Sequence, residues 1–155
     1  MQESKNFREF CFGFYEGEYD KVMWGDVGKE LGYSSCEEYM KALGSGETSI
    51  PQALDTLKQI DKLGMAEDLQ TVKQRMQNEL KTVAKKTAKA GGGNVLIISH
   101  GMSILAMISD MTDKEPEGGQ LANSSVTKIT YKNGKFEVNE VGNMEYVASG
   151  ESEAY

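Results

Sequence analysis

The chain has 155 residues, 39% of them apolar and 26% charged, a globular composition that excludes disordered and collagen-like classes. That length suits one layered domain spanning residues 1–155. Seventeen basic residues against twenty-four acidic ones leave a net charge of −7, which offers no basic footprint for nucleic acid or an anionic membrane.

No apolar run reaches the roughly 18 residues that a spanning helix needs, and the opening MQESKNFREF lacks the basic and apolar regions of a signal peptide. The expectation is a soluble, cytoplasmic protein. Cys11 and Cys36 are too few for a disulfide scaffold, have no C-x-x-C spacing and read as ordinary reduced thiols. There is one histidine, His100, and there are two arginines, Arg8 and Arg75. Chemistry that needs two imidazoles cannot be completed within one copy of this chain.

The first twenty residues interleave Phe7, Phe10, Phe12, Phe14, Tyr15 and Tyr19 with Glu9, Gly13, Glu16 and Gly17, which predicts a structured loop or short strand leading into a helix. Helices are predicted over about Tyr19 to Leu31, about Cys36 to Leu43 after Ser34 and Ser35, and about Ile50 to Lys62. The last of these has Ser49 as its cap, Pro51 in its first turn and Gln52 three residues past the cap. A longer helix is predicted from about Glu67 to Lys89, where Leu69, Val72, Met76, Leu80 and Val83 recur at spacings of three and four; Arg75 lies beside that stripe.

Gly91, Gly92 and Gly93 end that helix and lead into Val95, Leu96, Ile97 and Ile98, an apolar run that predicts a strand buried on both faces within a parallel sheet. Ser99, His100, Gly101, Met102 and Ser103 follow, and then Ile104, Leu105, Met107 and Ile108 at helical spacing. His100 is thus expected at a strand-to-helix turn, the carboxyl end of a strand where sites gather in α/β sheets. Two further strands, about Ser125 to Tyr131 and about Lys135 to Val141, are joined by Asn133-Gly134, a strong hairpin signal. The closing SGESEAY reads as a frayed polar tail.

Two places carry possible chemistry. At the helix start after His100, the backbone N–H groups of Gly101, Met102 and Ser103 can hold a phosphate or carboxylate beside the imidazole. The competing reading is a histidine that caps a strand end and binds nothing. A serine-hydrolase elbow needs G-x-S-x-G, which the order Ser99-His100-Gly101-Met102-Ser103 does not give, and one histidine with two distant cysteines makes no zinc site. In the second place, Glu9 among aromatic side chains can serve as a general acid, against the commoner fate of a solvated turn carboxylate. Glu16 has the same ambiguity, with a structural role before Gly17 as its competing reading.

Four elements in the same order resemble the histidine phosphatase superfamily, the phosphoglycerate mutase-like proteins. F-R-E-F-C-F-G-F-Y-E-G is similar to the family's L-x-E-x-x-x-G-x-x-E-G element, and E-D-L-Q-T-V-K-Q-R-M to the helix before its fourth strand. V-L-I-I-S-H-G-M-S resembles the strand that ends in its second catalytic histidine, and N-S-S-V-T-K-I-T-Y-K-N-G-K-F-E-V its closing hairpin. The resemblance implies an incomplete phosphoglycerate mutase-like α/β fold with a mostly parallel sheet, flanking helices and a C-terminal hairpin. It implies phosphomonoester hydrolysis through a phosphohistidine, with His100 as the second histidine, Glu9 as the proton donor, Gly101 and Met102 at the phosphate, Arg75 in a structural role and no cofactor or metal.

The family's R-H-G motif, which carries the attacking histidine and one phosphate-binding arginine, has no counterpart here, and neither does its second phosphate arginine. The expectation is therefore the C-terminal part of a family member, nearly or wholly inactive alone. Because the family's first strand is central in its sheet, the resemblance also implies exposed edges and hence a homodimer or strand exchange. Where the family's mutases follow the acid with an arginine, a tyrosine and a lysine, this chain has Phe10, Phe12 and Asp20, an apolar and acidic lining that suits a broad-specificity phosphatase acting on a small phosphorylated molecule better than a bisphosphoglycerate-dependent mutase. A non-catalytic anion-binding or structural module is the reading from another class.

Overall fold

Side-chain oxygens start most of the helices of this chain, whose computed structural model describes residues 1–153. Helix α1 spans Asp20–Glu30, α2 Cys36–Ser45, α3 Ile50–Ile60 and α4 Leu69–Lys89. Ser35 accepts from the Glu38 N–H at 3.1 Å and Ser49 from the Gln52 N–H at 3.4 Å, while Asp68 accepts from the Thr71 N–H at 2.7 Å. Each oxygen takes up one N–H that a helix leaves without an internal partner. The predicted helices are thus present within about two residues of their expected ends.

Helix α5 (Gly101–Ile108) follows the glycine triplet, strands β1 (Val126–Lys132) and β2 (Lys135–Asn143) form the hairpin, and α6 spans Glu145–Glu153. The hairpin turn has Asn133 at φ 53° and Gly134 at φ 80°, the left-handed pair that a two-residue turn needs to match strand twist. Tyr131 and Phe136 face each other across the strands with ring centroids 4.8 Å apart. The region expected to fray is helical through Glu153, and Ala154 and Tyr155 lie outside the described residues. The aromatic N-terminal segment forms two short 3-10 turns, Lys5–Phe7 and Gly13–Tyr15, not a strand.

The chain divides into two compact units, one made of residues 1–9 and everything from Lys73 onward, the other of Phe10–Val72. In the second unit, α1 packs on α2 and α3 around Val27, Tyr39, Leu54, Leu57 and Val72, all fully buried. Close approach of α1 to α2 depends on Gly28, where a Cβ would stand 2.7 Å from that of Tyr39.

Asp61 closes this unit's irregular half. Its carboxylate accepts N–H bonds from Phe14 (2.8 Å), Leu63 (3.0 Å), Met65 (2.5 Å) and Ala66 (2.7 Å), so one side chain fixes two loops. Gly13, at φ 61°, leaves the space: a Cβ there would lie 2.2 Å from an Asp61 oxygen. Burial raises the carboxyl's pKa, but the four N–H donors outweigh it and bring the pKa down to about 2.

The first unit holds α5, the hairpin and the greater part of α4, with Met76, Leu80, Ala106, Met107, Ile108 and Val138 buried. Gln77 of α4 donates to the Met107 carbonyl (2.9 Å) and to Asp110 (2.6 Å), which satisfies acceptors at the C-terminal end of α5.

The expected parallel sheet is absent among the described residues: the sheet is two-stranded and antiparallel. Residues 94–99 run without regular secondary structure and with no strand beside them; Leu96 is 84% exposed, Ile98 81% and Val95 51%. An apolar run identifies a segment suited to burial between two strands, but burial requires neighbours, and the described residues place none there.

Asp61→Asn, which replaces an acceptor oxygen with a donor, is expected to cost about 2–3 kcal/mol at neutral pH, read from urea unfolding. Because the folded carboxyl titrates below its unfolded value of 3.8, its stabilisation is fully present above that pH and lost as the pH falls through about 2. The variant should lack that part of the acid dependence; an unchanged urea midpoint would show that the four bonds contribute nothing.

Candidate functional site

Residues 6–9 have almost no regular structure of their own, yet every carbonyl from Asn6 to Glu9 accepts a side-chain bond. The Arg75 guanidinium on α4 donates to the carbonyls of Asn6 (2.7 Å), Arg8 (2.9 Å) and Glu9 (2.9 Å). Ser99 Oγ donates to the Phe7 carbonyl at 2.8 Å, and Asn6 Nδ2 donates to Glu79 at 3.0 Å. A planar group with several N–H donors fits a bent run of carbonyls in a way that an ammonium cannot. Arg75 is a positioning residue that holds the backbone on which Glu9 stands, in accord with the structural role expected for it.

The Glu9 side chain ends at the first turn of α5. Its Oε1 accepts the Ser103 N–H at 3.0 Å and lies 2.7 Å from Ser103 Oγ, which is itself 3.1 Å from the Arg8 carbonyl. Ser103 is fully buried and Glu9 half-buried. The serine has one hydroxyl proton and two acceptors in reach, so this geometry serves both charge states of the acid. With Glu9 ionised, Ser103 donates to it; with Glu9 protonated, the carboxyl donates to Ser103 Oγ, whose own proton turns to the Arg8 carbonyl. A carboxyl that can release and regain a proton without leaving a buried group unpaired is suited to acid–base work.

His100 is the N-cap residue of α5, in extended backbone at φ −119° and ψ 154°, exposed, and its ring makes no capping bond. Its carbonyl accepts the Ile104 N–H at 2.9 Å, the first bond of the helix. The N–H groups of Gly101 and Met102 precede that bond and have no partner within the helix. The helix expected after His100 is present, but the strand expected before it is not: residues 94–99 have no regular secondary structure, so His100 enters α5 from an irregular segment. The first turn of α5 carries His100, two backbone donors and, through Ser103, the Glu9 carboxylate. These groups can hold a tetrahedral anion and deliver a proton to it.

Other residues fall elsewhere. Glu16 accepts the Phe12 N–H at 2.7 Å and closes the Gly13–Tyr15 turn, the structural alternative. Phe10 is buried and stacks on Phe12 with centroids 6.4 Å apart, so it belongs to its unit's core instead of lining an opening. Asp20 sits exposed in the first turn of α1. Arg8 donates to the Lys5 carbonyl at 3.0 Å. Sequence reasoning gave Ser103 only a backbone role; its hydroxyl contact with Glu9, 94 residues away, has no local signal. Among the described residues no group of three or more His, Cys, Asp or Glu side chains is placed to hold a metal ion, and no helix is long and apolar enough to cross a membrane.

The model of the histidine phosphatase superfamily (branch 1) matches residues 1–144, and the chain belongs to that superfamily. Its fold is similar to the crystal structure of phosphoglycerate mutase from Bacillus anthracis str. Sterne, with a TM-score of 0.80 and 37% sequence identity; the match covers 97% of this chain and 63% of that one. The chain thus spans less than two thirds of the mutase it resembles. No curated protein matches it.

Ser103→Ala removes the hydroxyl shared by Glu9 and Arg8 and is expected to lower stability by about 1–3 kcal/mol. Arg75→Lys keeps the charge but not the fork, and should speed hydrogen exchange along residues 6–9. Exchange no faster than in the parent would show that the guanidinium does not hold that segment.

Proposed function

We propose that this chain provides the acid and one of the two imidazoles of a phosphomonoesterase that works through a phosphohistidine. The observation that carries this reading is the bond between Glu9 and Ser103 at the start of the helix that His100 caps. In that setting the Gly101 and Met102 N–H groups and the His100 imidazole offset charge on the phosphoryl oxygens, which grows most useful as the transition state forms. Glu9 gives its proton to the ester oxygen as the P–O bond breaks, and Ser103 turns its hydroxyl to the carboxylate that remains.

The same chemistry needs a second imidazole to attack phosphorus. The sole histidine cannot fill both places, and both arginines are bonded to backbone carbonyls. The chain alone is therefore proposed to be inactive, and phosphoryl transfer to require a further segment with a nucleophilic histidine and phosphate-binding arginines. The substrate class is a small phosphorylated molecule. A cytoplasmic setting fits the two free thiols, Cys11 and Cys36.

The similarity to a phosphoglycerate mutase favours a second reading, mutase activity. Against it stand Phe10, Phe12 and Asp20, where the family's mutases carry cationic and hydroxyl groups for an acidic substrate. With Phe10 buried, the case for a phosphatase rests on those lost contacts and not on an apolar lining.

The purified chain should leave p-nitrophenyl phosphate untouched. A fusion that adds an R-H-G-bearing N-terminal segment from a family member should hydrolyse it, and His100→Ala or Glu9→Gln in that fusion should lower kcat by roughly 100-fold or more. Equal turnover with and without the added segment would overturn the division of labour; preferential conversion of 3-phosphoglycerate to its 2-isomer would select the mutase reading.

A further inference from the structure

Two serines grip the segment that carries Glu9 from the turn that carries His100. Ser103 Oγ lies 2.7 Å from Glu9 Oε1 and 3.1 Å from the Arg8 carbonyl. Ser99, half-buried and adjacent to His100 in the chain, donates from Oγ to the Phe7 carbonyl at 2.8 Å, the usual length of an O–H···O bond. The grips therefore fall on successive carbonyls, those of Phe7 and Arg8, and come from residues on either side of His100.

The two serines differ in what the reaction asks of them. Ser103 serves the acid: its proton points to the Arg8 carbonyl while Glu9 is protonated and turns to the carboxylate once that proton has left. Its bond to the backbone is therefore given up during the step. Neither partner in the bond from Ser99 to Phe7 gains or loses a proton, so this tie is the same in both charge states of Glu9. A segment held at one point can pivot there, whereas two points fix distance and direction together. Arg75 does a different task, since its guanidinium ties residues 6–9 to α4 and not to the turn at His100.

We infer that Ser99 is a positioning residue of the phosphoryl-transfer step, its hydroxyl setting the separation of His100 from the Glu9 carboxyl while the proton moves. This rests on the phosphomonoesterase reading proposed above. In that step the imidazole of the further segment forms an N–P bond and the P–O bond to the leaving group breaks. The electron pair of the broken bond stays on the ester oxygen, which takes the Glu9 proton. Ser99 touches none of these atoms and acts only on how well the acid is aimed, to which proton transfer is sensitive. A dependence on the leaving group follows. An alkoxide is strongly basic and must be protonated as it departs, whereas p-nitrophenolate departs with less help.

In the fusion that carries an R-H-G segment, Ser99→Ala should lower kcat about 10-fold on glycerol 2-phosphate and less than about 3-fold on p-nitrophenyl phosphate, with KM unchanged on both. Ser99→Thr, which keeps the hydroxyl, should restore the parent values. If the alanine variant does not fold, Ser99→Cys, a weaker donor of similar size, should show the same split between esters. Equal losses on the two esters would make Ser99 a structural residue only. An unchanged kcat, or a loss confined to KM, would also overturn the inference, and in all three cases the phosphomonoesterase reading would stand. That reading fails by a different result, a parent fusion without turnover or with turnover that His100→Ala leaves intact, and this inference then falls with it.

Discussion

The contact of the Glu9 carboxylate with Ser103 joins chain segments 94 residues apart, and the functional reading of this protein depends on it. Glu9 lies on a segment with little structure of its own, so its position is borrowed: Arg75 holds the carbonyls, Ser99 holds Phe7, and Ser103 holds the acid. Each of these bonds ties a polar atom of the segment to another part of the fold, and a buried acceptor that loses its partner costs more than its bond contributes when made. The carboxyl is therefore placed by the fold and does not move as a free surface side chain would.

Helix α5 links that placement to charge. Its start directs the Gly101 and Met102 N–H groups and the positive end of the helix dipole toward the region beside His100, worth about 0.3–1 kcal/mol for an anion at an exposed helix end. Its other end is secured by Gln77 through the Met107 carbonyl. Asp61 plays a comparable organising part within the Phe10–Val72 unit, where one carboxylate gathers four N–H groups. In both units an irregular stretch is ordered by one polar side chain that accepts or donates several backbone bonds.

Local chemistry made much of this legible in the sequence. Ser35 and Ser49 announced their helices because capping is decided within three residues, and Asn133-Gly134 announced the hairpin because left-handed turns tolerate few residue types. His100 was found from its place between an apolar run and a helical pattern. The parallel sheet that residues 95–98 predict is absent among the described residues because their composition is that of a buried strand, whereas pairing partners are a property of the whole sheet and not of the local sequence. The hydroxyl of Ser103 and the carbonyl bonds of Arg75 were equally invisible, since side-chain contacts over 66 to 95 residues leave no periodicity behind.

The reading as a phosphoryl site stands or falls on whether the start of α5 binds the relevant anion. Because His100 is the sole histidine, its ring resonances can be followed without assignment ambiguity while inorganic phosphate or vanadate is added to the intact chain. Saturable shifts of those resonances and of the Gly101 and Met102 amides, weakened when His100 is changed to Ala at the amides, are the expected result. Ring and amide signals that stay fixed through millimolar anion would contradict a phosphoryl site at this helix.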